Sequence, residues 1–350
     1  MPEESIEHID FDELNKKAIS KPLVEHIYTA DPSAHVFNGK IYIYPSHDVD
    51  AGEAFDDLGS HFAMEDYHVI SMTDPDAEAK DHGVALHVKD VSWAEKQMWA
   101  PDAAEKNGKY YLFFPAKDHN GIFKIGVALS DSPTGPFIAE AHPIKESFSI
   151  DPAVFKDDDD YYYMYFGGIW GGQLQRWRTG KFNNKEEESP TAHLPPDNEP
   201  ALCAKVAKLR DDLLEFAEAP KDVVIIDENG NRLLQGDTQR RFFEASWLHK
   251  YKGKYYFSYS TGDTHFICYA IADNPYGPFK YGGRILNPVV GWTSHHSIVE
   301  FKGNWYLFYH DSSLSKGVTH LRNIKVTQLL HDENGYIRTI EPYGGIKAQS

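Results

Sequence analysis

The chain has little cysteine, little positive charge and no long apolar run. Two cysteines among 350 residues, Cys203 and Cys268, cannot build a disulfide framework, and they show no metal-ligand spacing. Basic residues number 35 against 53 acidic ones, a net charge of −18. Phosphates would be repelled, which excludes nucleic acid and anionic membrane as partners and favours a neutral substrate. No stretch approaches the roughly 18 uncharged apolar residues of a membrane span. The N-terminal segment MPEESIEHIDFDELNKKAIS lacks the basic start and apolar core of a secretory signal. A cytoplasmic protein acting on a small imported substrate is the expectation.

What the chain has in plenty is aromatic strand. Tyr and Phe together supply 41 residues, a load that suits strands over helices. Five segments share one pattern, a polar or small opener followed by a turn and an aromatic run: DPSAHVFNGKIYIY from Asp31, APDAAEKNGKYYLF from Ala100, DPAVFKDDDDYYYM from Asp151, EASWLHKYKGKYYF from Glu244 and HHSIVEFKGNWYLF from His295. The turn residue follows the opener by 8 positions in four copies, and by 9 between Glu244 and Gly253. Aromatic strands beside Gly-Lys turns are common in antiparallel proteins, but five in one register predict radial symmetry, with the openers facing a shared axis.

The predicted architecture is all-β, a five-bladed β-propeller with a helix-containing insertion. Residues 1–21 read as an acidic arm with one helical turn, and 22–350 as a single propeller domain. ALSDSPTGPF at 128–137 and AIADNPYGPF at 270–279 repeat a strand running into a Pro-Gly-Pro turn. Segment 173–241 breaks the pattern. Its polar Pro-rich loop at 187–200, an amphipathic helix expected near 201–217 with Leu209, Leu213, Leu214 and Phe216 as its apolar set, and an Asn-Gly hairpin in VVIIDENGNRLL read as an elaboration of one blade.

Three of the five openers are carboxylates. Glycosidic hydrolysis needs a carboxylic acid to protonate the leaving oxygen and a carboxylate on the opposite sugar face, about 6.5–9.5 Å away when it activates water. Asp31 and Glu244, from different units, can converge in that way, and Asp151 is placed to raise the pKa of Glu244 by like-charge repulsion. Taken singly, each acid also reads as a turn former or a rim residue.

The segments TADPSAHVFNGKIYIYPSHD, MWAPDAAEKNGKYYLFFPA, SIDPAVFKDDDDYYYMYFGG, FFEASWLHKYKGKYYFSYS and SHHSIVEFKGNWYLFYHD resemble glycoside hydrolase family 43 across residues 22–343. The resemblance implies a five-bladed propeller that hydrolyses β-xylosides, arabinofuranosides, arabinans or galactans with inversion. It implies Asp31 as general base, Glu244 as general acid and Asp151 as the aspartate that modulates and orients the acid. Arg322, in GVTHLRNIKV, matches an arginine that grips the innermost sugar. His295 matches a histidine touching a central calcium or its water. Calcium prefers oxygen ligands, so a mostly hydrated ion is implied, and a histidine that simply fills the axis is the other reading. Trp99 and Trp170 are candidates for the sugar platform, since aromatic faces stack on the apolar side of a sugar ring.

SIDPAVF followed by GGIWGGQLQRW resembles the branch containing β-xylosidases, some with α-L-arabinofuranosidase activity. The function expected is an inverting exo-acting β-xylosidase releasing xylose from short oligosaccharides, or an arabinofuranosidase, or both, with no organic cofactor. A sugar-binding propeller without catalysis would have lost one of the carboxylates or the arginine, and a protein scaffold would show an exposed apolar face instead of an acid-lined axis.

Overall fold

The computed structural model describes residues 9–185 and 189–344. Five sheets carry almost all of the regular structure. Each of the five repeated segments supplies the inner strand of one: Tyr28–Phe37, Asp102–Lys106, Ala153–Lys156, Glu244–Tyr251 and His296–Phe301. Each inner strand touches the next, and the last touches the first, so the five close a ring.

The turns that follow set the hairpins. Asn38-Gly39, Asn107-Gly108, Lys252-Gly253 and Lys302-Gly303 all place two consecutive residues at positive φ, between 47° and 81°. That is the backbone of the type I′ turn, whose twist matches the flanking strands. The third blade turns instead on Asp157–Asp160. Asp157 is not solvated as an acidic turn residue would be: it is 6% exposed and accepts hydrogen bonds from Tyr255 (2.6 Å) and Lys250 (2.9 Å) of the next blade.

Period-two alternation then builds the core between blades. On the strand Lys109–Asp118, Leu112 and Phe114 face the first blade, where Tyr44 and Tyr67 lie, while Tyr111 and Phe113 face Met164 and Phe166 of the third. Tyr163 and Tyr165 meet Phe257 and Tyr259, Tyr256 and Tyr269 meet Leu307 and Tyr309, and Phe308 with Ile324 meets Ile41 and Ile43. Five interblade clusters therefore close the same ring. At about 1.5–3 kcal/mol for each fully buried large apolar side chain, these aromatic contacts are the main force holding the blades together. The fifth sheet has only three strands. The Leu23 N–H donates to the Ile324 carbonyl (2.9 Å), so the segment before the first blade covers that sheet's edge.

The helical turn expected near the N-terminus is a seven-residue α-helix, Phe11–Lys17. Asp10 caps it by accepting from the Glu13 N–H (3.1 Å), and Leu14 is buried. Residues 1–8, and positions 187 and 188 of the Pro-rich loop, lie outside the described residues. The expected helix at 201–217 is absent. Lys205–Lys208 is a strand paired with Tyr162–Phe166, and a turn brings Leu209 back against Phe216. Leu209, Leu213 and Phe216 are buried as expected, but the free edge of the third sheet offers this segment a full ladder that outweighs helical spacing. What is helical in 173–241, among the described residues, is the 3-10 segment Leu174–Trp177. The Asn229-Gly230 turn forms as expected, with the Asp227 N–H donating to the Asn231 carbonyl (2.8 Å). No helix among the described residues is long and apolar enough to cross a membrane.

Candidate active site

Asp31, Asp151, Glu244, Trp99, Trp170, Arg322 and His295 all line one cavity, of about 730 Å³ out to its mouth. The inner strands deliver the acids through irregularities at their starts. Asp31 has φ 51° at a register shift between Ala30 and Ser33, and Asp151 has φ 57°. In the fourth blade the residue with this conformation is Ala245, at φ 64°, and it precedes Gly253 by 8 positions. The backbone equivalent of the two aspartates is thus Ala245. Glu244 stands one residue ahead of it, which is why its count to the turn is 9. A non-glycine residue at positive φ costs about 1–3 kcal/mol, and three blades carry that strain at the same place.

The three carboxyls differ in their surroundings. Burial alone would raise the pKa of Asp31, but Arg322, His295 and His310 beside it and the hydroxyl of Ser46 hold it down to about 2. Ser46 Oγ donates to Oδ2 (2.6 Å) and Arg322 Nη1 to Oδ1 (3.1 Å). Glu244 is pushed up to about 8, first by burial and then by the charge on Asp31, against the pull of Arg322. Asp151 is raised well above the carboxylate range by burial, Glu244 and Asp31, although its Oδ2 accepts the Ala245 N–H (2.9 Å). At neutral pH the negative charge therefore sits on Asp31, and the Asp151–Glu244 pair retains protons.

Arg322 is fixed from behind by Asp48. Its Nε and Nη2 donate to the two Asp48 oxygens, both at 2.8 Å, its backbone N–H adds a third bond (2.9 Å), and its guanidinium lies 4.9 Å from the centre of the Phe62 ring. Sequence reasoning missed Asp48, although it stands in the quoted PSHD, two residues after Ser46 on the same face of its strand. It also missed His310, whose Nδ1 accepts the Asp31 N–H (3.0 Å), and Thr293, which the His310 Nε2 contacts at 3.0 Å. His295 is buried with Nδ1 3.3 Å from Asp31 Oδ1, and burial lowers its pKa against the opposing Asp31 charge.

The walls are aromatic. Trp170 packs on Phe243 (5.2 Å between ring centres) and on Trp292 (5.5 Å), forming one side. The other side is the segment 49–65, which brings Phe55, His61 and Phe62. Trp99 joins the two. Its Nε1 donates to the Phe62 carbonyl (2.9 Å), its ring lies on Phe123 (4.7 Å), and a Cβ at Gly171 would come within 3.2 Å of it and 2.5 Å of the Leu58 carbonyl oxygen. The absence of a side chain at Gly171 lets the two walls meet. Phe243, Trp292 and the 49–65 wall were not expected from sequence: Phe243 sits directly before Glu244, but nothing in the repeat marks 49–65.

The chain is similar to known proteins over most of its length. Residues 21–337 match the model of glycosyl hydrolases family 43. A xylosidase/arabinosidase of Bacteroides ovatus is 60% identical over 93% of this chain and 98% of its own length. A β-xylosidase of Xylanibacter ruminicola is 57% identical over 90% and 97%. Among solved structures, a β-xylosidase/α-arabinofuranosidase of this family from a compost microbial metagenome, in complex with xylotriose and in calcium-free form, is 64% identical and superposes with a TM-score of 0.90 over 93% of this chain and 98% of that one.

Proposed function

This chain belongs to glycosyl hydrolase family 43, and from that premise we propose that it is an inverting exo-glycosidase releasing xylose from the ends of short xylo-oligosaccharides, with α-L-arabinofuranosidase activity in the same pocket. The observation that carries the reading is the split in protonation, with Asp31 held ionised and Glu244 held protonated on one cavity. A water beside Asp31 loses its proton to that carboxylate as it attacks the anomeric carbon. Glu244 gives its proton to the leaving oxygen in the same step, so the glycosidic bond breaks as the new C–O bond forms on the opposite face. Solvent then returns both groups to their starting states. Asp151 is a positioning residue: its bond to the Ala245 N–H fixes the backbone next to Glu244, while the like-charge repulsion expected from it falls to Asp31, since Asp151 is itself protonated and the acid is raised by burial and by the Asp31 charge. Arg322, clamped by Asp48, presents its remaining donor edge to sugar hydroxyls beside Asp31.

The pH dependence has a definite sign. Glu244 works protonated, and it faces Asp151, Asp31 and Arg322, so activity is present below its raised pKa and is lost as pH rises through about 8. The pH profile of kcat/KM on xylobiose should show that alkaline limb. In Asp151→Ala, which removes the acceptor for the Ala245 N–H, kcat should fall while the limb stays near its wild-type pH, because the charge that raises Glu244 is that of Asp31; an unchanged kcat would remove Asp151 from the positioning role.

A calcium ion on the axis beside His295 is part of the same reading. The donors there are one imidazole nitrogen and the already-paired carboxylate of Asp31, and among the described residues no group of three side-chain ligands includes His295. Such a set fits an ion that keeps most of its water. The lowered pKa of His295 leaves the imidazole neutral with a lone pair to offer. When bound, the ion would supply positive charge near Asp31. Chelation should lower the xylosidase rate and calcium restore it, with the response lost in His295→Ala; a rate indifferent to chelator would remove the ion from the reading.

A further inference from the structure

Outside the cavity, the second, third and fourth strands of the first blade, with the segment ahead of it, carry a chain of histidines and carboxylates that the hydrolytic mechanism does not use. His26 Nε2 lies 2.8 Å from Asp81 Oδ2, and Asp81 Oδ1 lies 2.9 Å from His68 Nδ1. His68 Nε2 is 4.0 Å from Asp66 Oδ2, and Asp66 Oδ1 is 2.5 Å from His47 Nδ1. His47, Asp66 and His68 each offer one ligand atom, and those atoms lie within 4.8 Å of one another. Among the described residues this is the one group of its kind. The three side chains are 11–16% exposed, open enough to admit an ion and a water.

We infer that His47, Asp66 and His68 form a binding site for a divalent transition-metal ion of the zinc class, completed by water. Two imidazoles and one carboxylate suit that class, whereas calcium and magnesium would demand a shell of oxygens. Ligand atoms around a tetrahedral zinc stand about 3.3 Å apart, given bonds of about 2.0–2.1 Å. The 2.5 Å and 4.0 Å contacts reach the two different oxygens of Asp66, and with the three ligand atoms all within 4.8 Å of one another, side-chain shifts of up to about 1.5 Å bring them to that spacing. His68 is oriented for the task. With its Nδ1–H given to Asp81, its Nε2 lone pair points toward Asp66, the carboxylate–histidine arrangement that fixes a metal-binding tautomer. Asp81 is itself held by the Gly83 N–H (2.8 Å) and by His26.

The site stands at a mechanically useful place. His47 is the penultimate residue of the strand Lys40–Asp48 and Asp66 begins the strand Asp66–Met72, so the two flank the 49–65 segment that walls the cavity with Phe55, His61 and Phe62. An ion bridging them clips the base of that loop and restricts its openings without touching the sugar. It would also adjoin Asp48, the clamp on Arg322.

The test uses the full chain, stripped of metal by chelator, dialysed, and titrated with zinc chloride in a calorimeter with excess calcium present to fill any oxygen-preferring site. One zinc per chain is expected. His68→Ala and His47→Ala should each weaken binding by at least about 100-fold, and Asp81→Asn by about 10–100-fold. Hydrogen exchange of residues 49–65 should slow on adding zinc to the wild type and not to His68→Ala. If neither histidine variant folds, anomalous scattering at the zinc edge from wild-type crystals should place the ion between the three side chains. The site is refuted if the wild type binds no zinc, if both histidine variants bind it undiminished, or if the anomalous peak lies elsewhere. Zinc bound without slower exchange in 49–65 would refute the clip.

Discussion

Glu244→Gln is expected to lower kcat on xylobiose by about 10²–10⁴-fold, the range over which a positioned proton donor contributes, while leaving KM nearly unchanged. The amide keeps the shape of the side chain but holds no transferable proton. Glu244 is half-buried and already retains its proton near neutrality, so exchanging it for a neutral isostere removes chemistry without stranding a charge. The loss should therefore depend on the leaving group. A dinitrophenyl xyloside, whose phenolate departs unaided, should be hydrolysed at close to the wild-type rate, and an alkyl xyloside hardly at all. Rates across a leaving-group series check this. A loss of equal size for every leaving group would mean that Glu244 does not donate the proton.

Arg322→Met should be the most destabilising single change in the cavity. Arg322 is 3% exposed and compensates two buried carboxylates, Asp31 at 3.1 Å and Asp48 through two bonds of 2.8 Å. Removing one partner of a buried ion pair costs about 3–5 kcal/mol, because the other charge is left uncompensated. Urea denaturation at pH 7 measures it. The variant's stability should recover as pH falls and Asp31 protonates, because burial raises the folded pKa of Asp31 once Arg322 no longer opposes it. The double variant Asp48→Asn/Arg322→Met should recover part of the loss at pH 7. An unfolding midpoint equal to wild type in Arg322→Met would show that the clamp carries no stability.

The fold was legible because its signals are local and repeated. A two-residue turn with both φ values positive, an opener 8 residues before it and an alternating aromatic strand after it are all decided within a dozen residues, and five copies average out chance. The acids were legible for the same reason, since each sits at the strand irregularity that the repeat marks. The departure at Glu244 was visible as a count of 9, but its cause, the transfer of the positive-φ position to Ala245, needed backbone angles. The helix expected at 201–217 failed because an apolar spacing compatible with a helix was captured by the edge of a sheet formed more than 30 residues earlier. Asp48 and His310 escaped notice because their roles exist only through partners 274 and 279 positions away along the chain. The wall of the cavity, residues 49–65, has no repeat counterpart and no turn signature, so only packing against Trp99 identifies it.

Proton NMR of the sugar released from phenyl β-xyloside, whose leaving group is not itself a sugar, tests most directly whether Asp31 and Glu244 work on opposite faces of one bound sugar. Signals of α-xylose should grow before mutarotation supplies the β anomer, as a single displacement by an Asp31-activated water requires. β-Xylose appearing first would mean two displacements through a covalent intermediate, and would contradict the assignment of Asp31 as a base.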